Sequence, residues 1–163
     1  MKTTLNKIRE HSPCADGWEK LLSYLGKTKA DDEEISILTI LDSNGLQDAI
    51  WCLRAVEGYD REIRLYAVWC ARQVQHLMAD QRSLDALDVA ERYANGEATD
   101  AELAAARDAV LDAVRAAACA AAESSATLAA WYAAAAASAA AEDAWGEMRK
   151  RQETELRRIC EEG

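Results

Sequence analysis

The sequence predicts an all-α fold, a compact bundle of about six to eight helices ending in a long alanine-rich C-terminal helical hairpin. Three observations carry that prediction. Between Ala116 and Ala141, seventeen of twenty-six positions are alanine and Glu123 is the only charge, and alanine loses no side-chain entropy in a helix. Elsewhere, apolar residues recur at helical spacing between capping residues and glycine stops. The one β-branched run, Ile35 to Leu41, reads as strand or buried helix by pattern; helix is preferred because the sequence offers no second strand to pair with it.

Ser12-Pro13 reads as an N-cap followed by a proline at the first helical position, opening a helix through Trp18, Leu21, Leu22 and Leu25 that Gly26 stops. Lys27 to Glu34 is a charged connection. Ser43-Asn44-Gly45 closes the Ile35–Leu41 helix, and Leu46 to Val56 forms the next, with Leu46, Ile50, Trp51 and Leu53 as its apolar residues and Gly58 as its end. Asp60 then caps a helix with Ile63, Tyr66, Ala67, Cys70, Val74 and Leu77 on one face. Asp80 caps another, Arg82 to Ala94, with Leu84, Leu87, Val89 and Ala90 inward and Gly96 as terminator. Thr99-x-x-Glu102 is a capping-box signature that starts the alanine-rich helix, striped by Leu103, Val110, Val114, Ala117 and Ala121. Glu123-Ser124-Ser125 interrupts it, and a final helix runs from about Thr127 to Cys160.

The 163 residues suit one domain, with residues 1–97 as core helices and 98–163 as the alanine-rich helices. Alanine stripes let helix axes approach closely but bury little apolar area. The first two-thirds is therefore expected to hold the stable core, and the C-terminal helix to be more labile or partner-dependent. Residues 49–56 and 67–74 match at five of eight positions, each with a tryptophan, which reads as two core helices using the same knob. The eighteen-residue offset is too short for helical-pair solenoids.

Twenty-nine acids against nineteen bases give a formal charge of −10. Such a surface repels nucleic acid and anionic lipid and steers basic partners toward it, so no direct nucleic-acid binding is expected. Five widely spaced cysteines without a C-x-x-C pair encode neither a disulfide framework nor a zinc site and fit a reducing cytoplasm. MKTTLNKIREH has no apolar h-region, so no secretory leader is expected. Ser124 to Ala141 is uncharged over eighteen residues, yet alanine is too weakly apolar to drive insertion, so no membrane span is expected.

Catalytic motifs are sparse. Gly26-Lys27-Thr28 has the ending of a phosphate-binding loop, but Leu21 stands where its first glycine belongs. His11 and Cys14 lack a second pair of metal ligands, and a Cys52 or Cys70 nucleophile with His76 has no third group to orient it. No catalytic residue, metal or cofactor is therefore assigned. Asp31, Asp32, Glu33 and Glu34 form the densest acidic run, read either as solvated linker or as a docking patch for a basic surface. Asp108, Asp112, Glu142, Asp143 and Glu147 would reinforce such a patch. Arg149-Lys150-Arg151 and Arg157-Arg158 suit the dipole of a helix C-terminus.

The segments SPCADGWEKLL and LGKTKADDE, the run ILDSNGLQDAIWCLRAVEGYDREIRLYAVWCARQVQHLM, and RSLDALDVAERYANGEATDAELAAARDA resemble small proteins of phages, prophages and environmental bacteria of the toxin–immunity kind. The ending Arg157-Arg158-Ile159-Cys160 is similar to theirs, although this tail has more plain alanine and fewer arginine–tryptophan steps. The resemblance implies a non-enzymatic protein that binds another protein, a stoichiometric inhibitor of a basic toxin or of a defence nuclease. The alternative is a structural module that self-assembles, as a homodimer, through its alanine helices.

Overall fold

The computed structural model describes residues 1–73, 75, 80–123 and 146–162, with the side chains of 112–123 excluded. The all-α expectation holds: among the described residues, the only strands are two of three residues each. The contacts divide the chain into two units, one of Met1–Ile63 with Arg151–Gly163 and one of Arg64–Lys150. In that division the end of the chain groups with its beginning.

The first unit opens with β1 (Lys2–Thr4), which leads directly into α1 (Leu5–Glu10). Thr4 caps α1, its Oγ1 accepting from the Lys7 N–H. After α1, Ser12 turns left-handed with φ of 57°, a conformation that an N-cap does not adopt. The next helix, α2 (Ala15–Tyr24), therefore starts two residues later than the Ser12-Pro13 signal suggested, with Cys14 at its N-cap. Gly26 ends it as expected, with the Lys27 N–H reaching the Leu22 carbonyl.

The run from Ile35 divides between two structures. Glu34–Ser36 is β2, antiparallel to β1 with Thr3 opposite Ile35, and Ile37–Asn44 is α3. The expectation that no strand partners this run is corrected: the partner is the three-residue KTT, 32 positions upstream and too short for a periodicity signal. Thr3 and Ile35 are both buried, and the Thr3 hydroxyl donates to the Ala55 carbonyl. Ser36 then caps α3 through its hydroxyl.

Gly45 joins α3 to α4 (Leu46–Cys52) and is the C-cap of one and the N-cap of the other. Its φ of 95° is available to glycine at little cost and makes the one-residue corner. So short a corner holds α4 close to α3, and small residues face inward: Ala49 and Cys52 are buried, while Ile50 is 37% exposed and Trp51 half-buried. Of the expected apolar residues, Leu53 is buried as read and Leu46 and Trp51 are half-buried, while Ile50 is turned outward. Leu53–Ala55 follows as a 3-10 turn instead of a continued α-helix.

The largest fully buried side chains, all in this unit, are Leu5, Ile8, Ile37, Ile40 and Leu156. Leu156 lies on the last helix, residues 146–162, with Ile159 and Cys160 buried one turn on. Arg157 pairs with Asp42 at 2.6 Å, and the Met1 amine donates to the Cys160 carbonyl at 3.1 Å. The expectation of a labile C-terminal helix is therefore corrected for residues 151–162.

In the second unit, α5 (Asp60–Arg72), which begins in the first, buries Tyr66 of the expected face, half-buries its Ile63 and Cys70, and differs in burying Val68 and exposing Ala67. Tyr66 and Trp69 stack with ring centroids 6.5 Å apart, and Trp69 is only half-buried. The helix α6 (Gln81–Ala94) starts where expected, with Asp80 Oδ1 accepting from the Arg82 N–H at 2.9 Å. Leu84, Leu87, Val89 and Ala90 are half-buried, and Ala94 is its most enclosed residue. Arg72 binds Asp88 and Glu91, tying α5 to α6.

The helix α7 (Asp100–Glu123) packs against α6. Its capping box is complete: the Glu102 N–H donates to Thr99 Oγ1 at 3.2 Å, and the Thr99 N–H donates to Glu102 Oε2 at 2.8 Å. Thr99→Ala is expected to cost about 1 kcal/mol. The Thr99 N–H, more than its hydroxyl, holds the Glu102 carboxyl below its ordinary 4.5. Because the folded value is depressed, this contribution is present above 4.5 and is lost as pH falls through the folded value. The difference between wild type and Glu102→Gln in urea denaturation should therefore be full at neutral pH and shrink in acid, whereas the loss in Thr99→Ala, which keeps the backbone N–H, should vary less with pH. Residues 124–145 of the expected hairpin lie outside the described residues, as do Val74, His76 and Leu77.

Candidate functional site

The acidic run does not stand free. Lys27 Nζ is 2.7 Å from both Asp31 Oδ2 and Glu33 Oε2. This ammonium holds the Asp31 carboxyl below its ordinary value, and Asp31, then Glu33, raise Lys27 in return. Glu34 pairs with Lys2 at 2.9 Å beside the strand ladder, and Asp32 accepts from the Asn6 amide at 2.8 Å. The Glu34 and Asp32 carboxylates thus hold the connection onto β1 and α1, while those of Asp31 and Glu33 brace it internally through Lys27. The same commitment of Lys27, behind a helix C-terminus, removes Gly26-Lys27-Thr28 as a phosphate loop. Asp108 is exposed on α7, and Glu147 pairs with Lys150 at 2.9 Å; both belong to the second unit. The Asp112 side chain, Glu142 and Asp143 lie outside the described residues.

A different feature has the form of a binding site. Within the first unit, α2 and the α3–α4 corner enclose a cleft of about 300 Å³, at the small end of the range of ligand pockets. α2 contributes Gly17, Trp18 and Leu21, with Cys14 at its N-cap; the corner contributes Asn44, Gln47, Asp48 and Trp51. The two sets, 14/17/18/21 and 44/47/48/51, have the same spacing and end on apolar residues; Gly17, Trp18 and Leu21 share one face of α2, and Gln47, Asp48 and Trp51 one face of α4, with Cys14 and Asn44 leading into each helix. Reading Trp51 as a core knob hid this pattern; Trp18 and Trp51 are both half-buried.

Asn44 is the keystone of the cleft. Its Nδ2 donates to the Gly17 carbonyl at 2.8 Å and to Asp48 Oδ2 at 2.7 Å, and its Oδ1 accepts from the Ser43 hydroxyl at 2.7 Å. Gly17 permits the approach of the two walls: a Cβ there would lie 2.8 Å from Asp48 Oδ2 and 3.1 Å from Cys14 Sγ. Among the described residues, no cation pairs with Asp48, and no lysine or arginine lines the cleft. Arg54, which is not a lining residue, lies 4.4 Å from the centroid of the Trp51 ring, its Nε donating to the Trp51 carbonyl.

The Cys52 thiol, at the floor of this cleft, is pushed up to about 12 by burial, with the negative charge of Asp48 adding to the shift. A thiol so shifted is protonated at neutral pH, the opposite of an activated nucleophile. Cys14 is exposed at the cleft edge. Iodoacetamide at mildly alkaline pH is therefore expected to modify Cys14 while Cys52 stays unlabelled in the folded protein, as read by peptide mass spectrometry; equal labelling would mean that the cleft floor opens. The proposed partner of Cys52 or Cys70, His76, lies outside the described residues. Among the described residues, no three His, Cys, Asp or Glu side chains converge on a point where a metal could sit, and no helix is long and apolar enough to cross a membrane.

No protein-family model matches the chain, and no curated protein or solved structure is similar to it.

Proposed function

We propose that this protein acts by binding, as a stoichiometric inhibitor of a basic partner protein of the toxin or nuclease kind. The observation that carries this reading is the cleft of the first unit, preorganised by Asn44 and lined by two tryptophans and a carboxylate, in a chain of charge −10. Its one buried thiol is held in the unreactive form, so its chemistry suits recognition. The resemblance of the sequence to toxin–immunity proteins agrees with this reading. The paired acidic run supports a structural use of Asp31 to Glu34, so the overall charge acts mainly by steering encounter.

The test is titration of individually purified basic nuclease-toxin domains with the protein, scored as inhibition of nucleic-acid cleavage. A sharp 1:1 endpoint, with affinity falling as salt rises, is the expected result. Failure to inhibit or to bind any such domain, together with a mass that grows with protein concentration in light scattering, would overturn it in favour of self-assembly. The 43% exposure of Leu111 on α7 is the observation on the side of that second reading.

A further inference from the structure

We infer that the cleft between α2 and α4 receives one arginine side chain of the partner; the inference rests on the protein-binding reading and assigns it a contact site. The charge complementarity is local. Asp48 faces the cleft with one oxygen fixed by Asn44, and among the described residues no lysine or arginine of this chain neutralises it. A guanidinium suits such a site because it is planar, donates to a carboxylate in a fork, and stacks on aromatic faces. Trp51 already accepts one guanidinium, that of Arg54 at 4.4 Å, from a residue outside the cleft lining. A cation held over tryptophan and partly withdrawn from water is attracted by the ring quadrupole more strongly than one at an exposed site. The volume of about 300 Å³ suits a single long side chain. Arginines seated in desolvated pockets are also the side chains that tend to dominate protein interfaces.

Gly17 supplies a direct way to close the site. It lies inside α2 without a positive φ, so alanine there is compatible with the helix, while its Cβ would displace the Asp48 carboxylate. Asp48→Asn removes the charge and retains an oxygen to accept from Asn44.

The experiment is an NMR titration of the intact protein with N-acetyl-arginine methylamide, following the tryptophan indole N–H signals assigned by Trp18→Phe and Trp51→Phe. Saturable shifts of the Trp18 and Trp51 signals are expected. N-acetyl-citrulline methylamide, the neutral isostere, should bind about tenfold more weakly, and so should the arginine probe to Asp48→Asn. Gly17→Ala should abolish the shifts with the far-UV spectrum intact. No shift, an equal response to citrulline, or an unchanged response in Asp48→Asn would overturn the inference. The toxin-domain assay separates the two claims. Inhibition that survives both Asp48→Asn and Gly17→Ala undiminished removes the cleft and leaves the protein-binding reading standing. Arginine-specific shifts without inhibition of any basic domain remove that reading and leave the site.

Discussion

Leu156→Ala should lower stability by about 2–5 kcal/mol, one of the two largest effects expected of a single substitution in this chain. The side chain is fully buried and lies on a helix whose preceding segment is almost bare of large apolar groups. Truncation removes the transfer free energy of the lost atoms and leaves a cavity that the neighbours fill only in part. Leu111→Ala, at a site 43% exposed, is the matched control and should change the urea midpoint little. If the two variants unfold at the same urea concentration, residues 151–162 do not belong to the core of the first unit.

Ile37→Ala should be comparably damaging, again about 2–5 kcal/mol, with Ile37→Val nearer 0.5–1.5 kcal/mol. Ile37 is fully buried where β2 becomes α3, and its N–H donates to the Met1 carbonyl at 3.2 Å. The side chain therefore anchors the ladder and the helix together. Equal losses for valine and alanine, measured in the same denaturation series, would mean that backbone geometry at this junction matters more than the buried volume. Trp51→Ala and Trp69→Ala, at the two tryptophans the sequence reads as core knobs, should cost less because both rings are half-buried.

Most local signals in the sequence held, the left-handed Ser12 being the exception. Asp80 and the pair Thr99 and Glu102 cap their helices as read, because a cap is decided within four residues of chain. Gly26, Gly45 and Gly96 stop helices for the same reason. The pairing of Lys2–Thr4 with Glu34–Ser36 depends on residues 32 positions apart and on strands too short to show alternation. The stripe Leu156, Ile159 and Cys160 was legible at i, i+3, i+4, but the alanine average of the region outweighed it. The site failed differently. Each wall of the cleft has a readable face, yet only the Gly45 corner and the absent Cβ of Gly17 bring the walls together, and neither is visible as spacing. The acidic run was visible as charge, but its partners Lys2 and Asn6 lie too far away in sequence to be assigned to it.

The two pieces of the first unit are separated by the whole of the second, and this sets an order on biosynthesis. When Ile63 has been added, the surface that Leu156, Ile159 and Cys160 will cover is still open. At roughly 5–20 residues per second, about 5–20 s pass before the ribosome supplies them. During that interval the nascent chain carries an unfinished apolar face, since the residues added meanwhile belong to the other unit. The first unit therefore cannot complete its core until the end of the chain has been made, and a chaperone that acts during synthesis meets that face open.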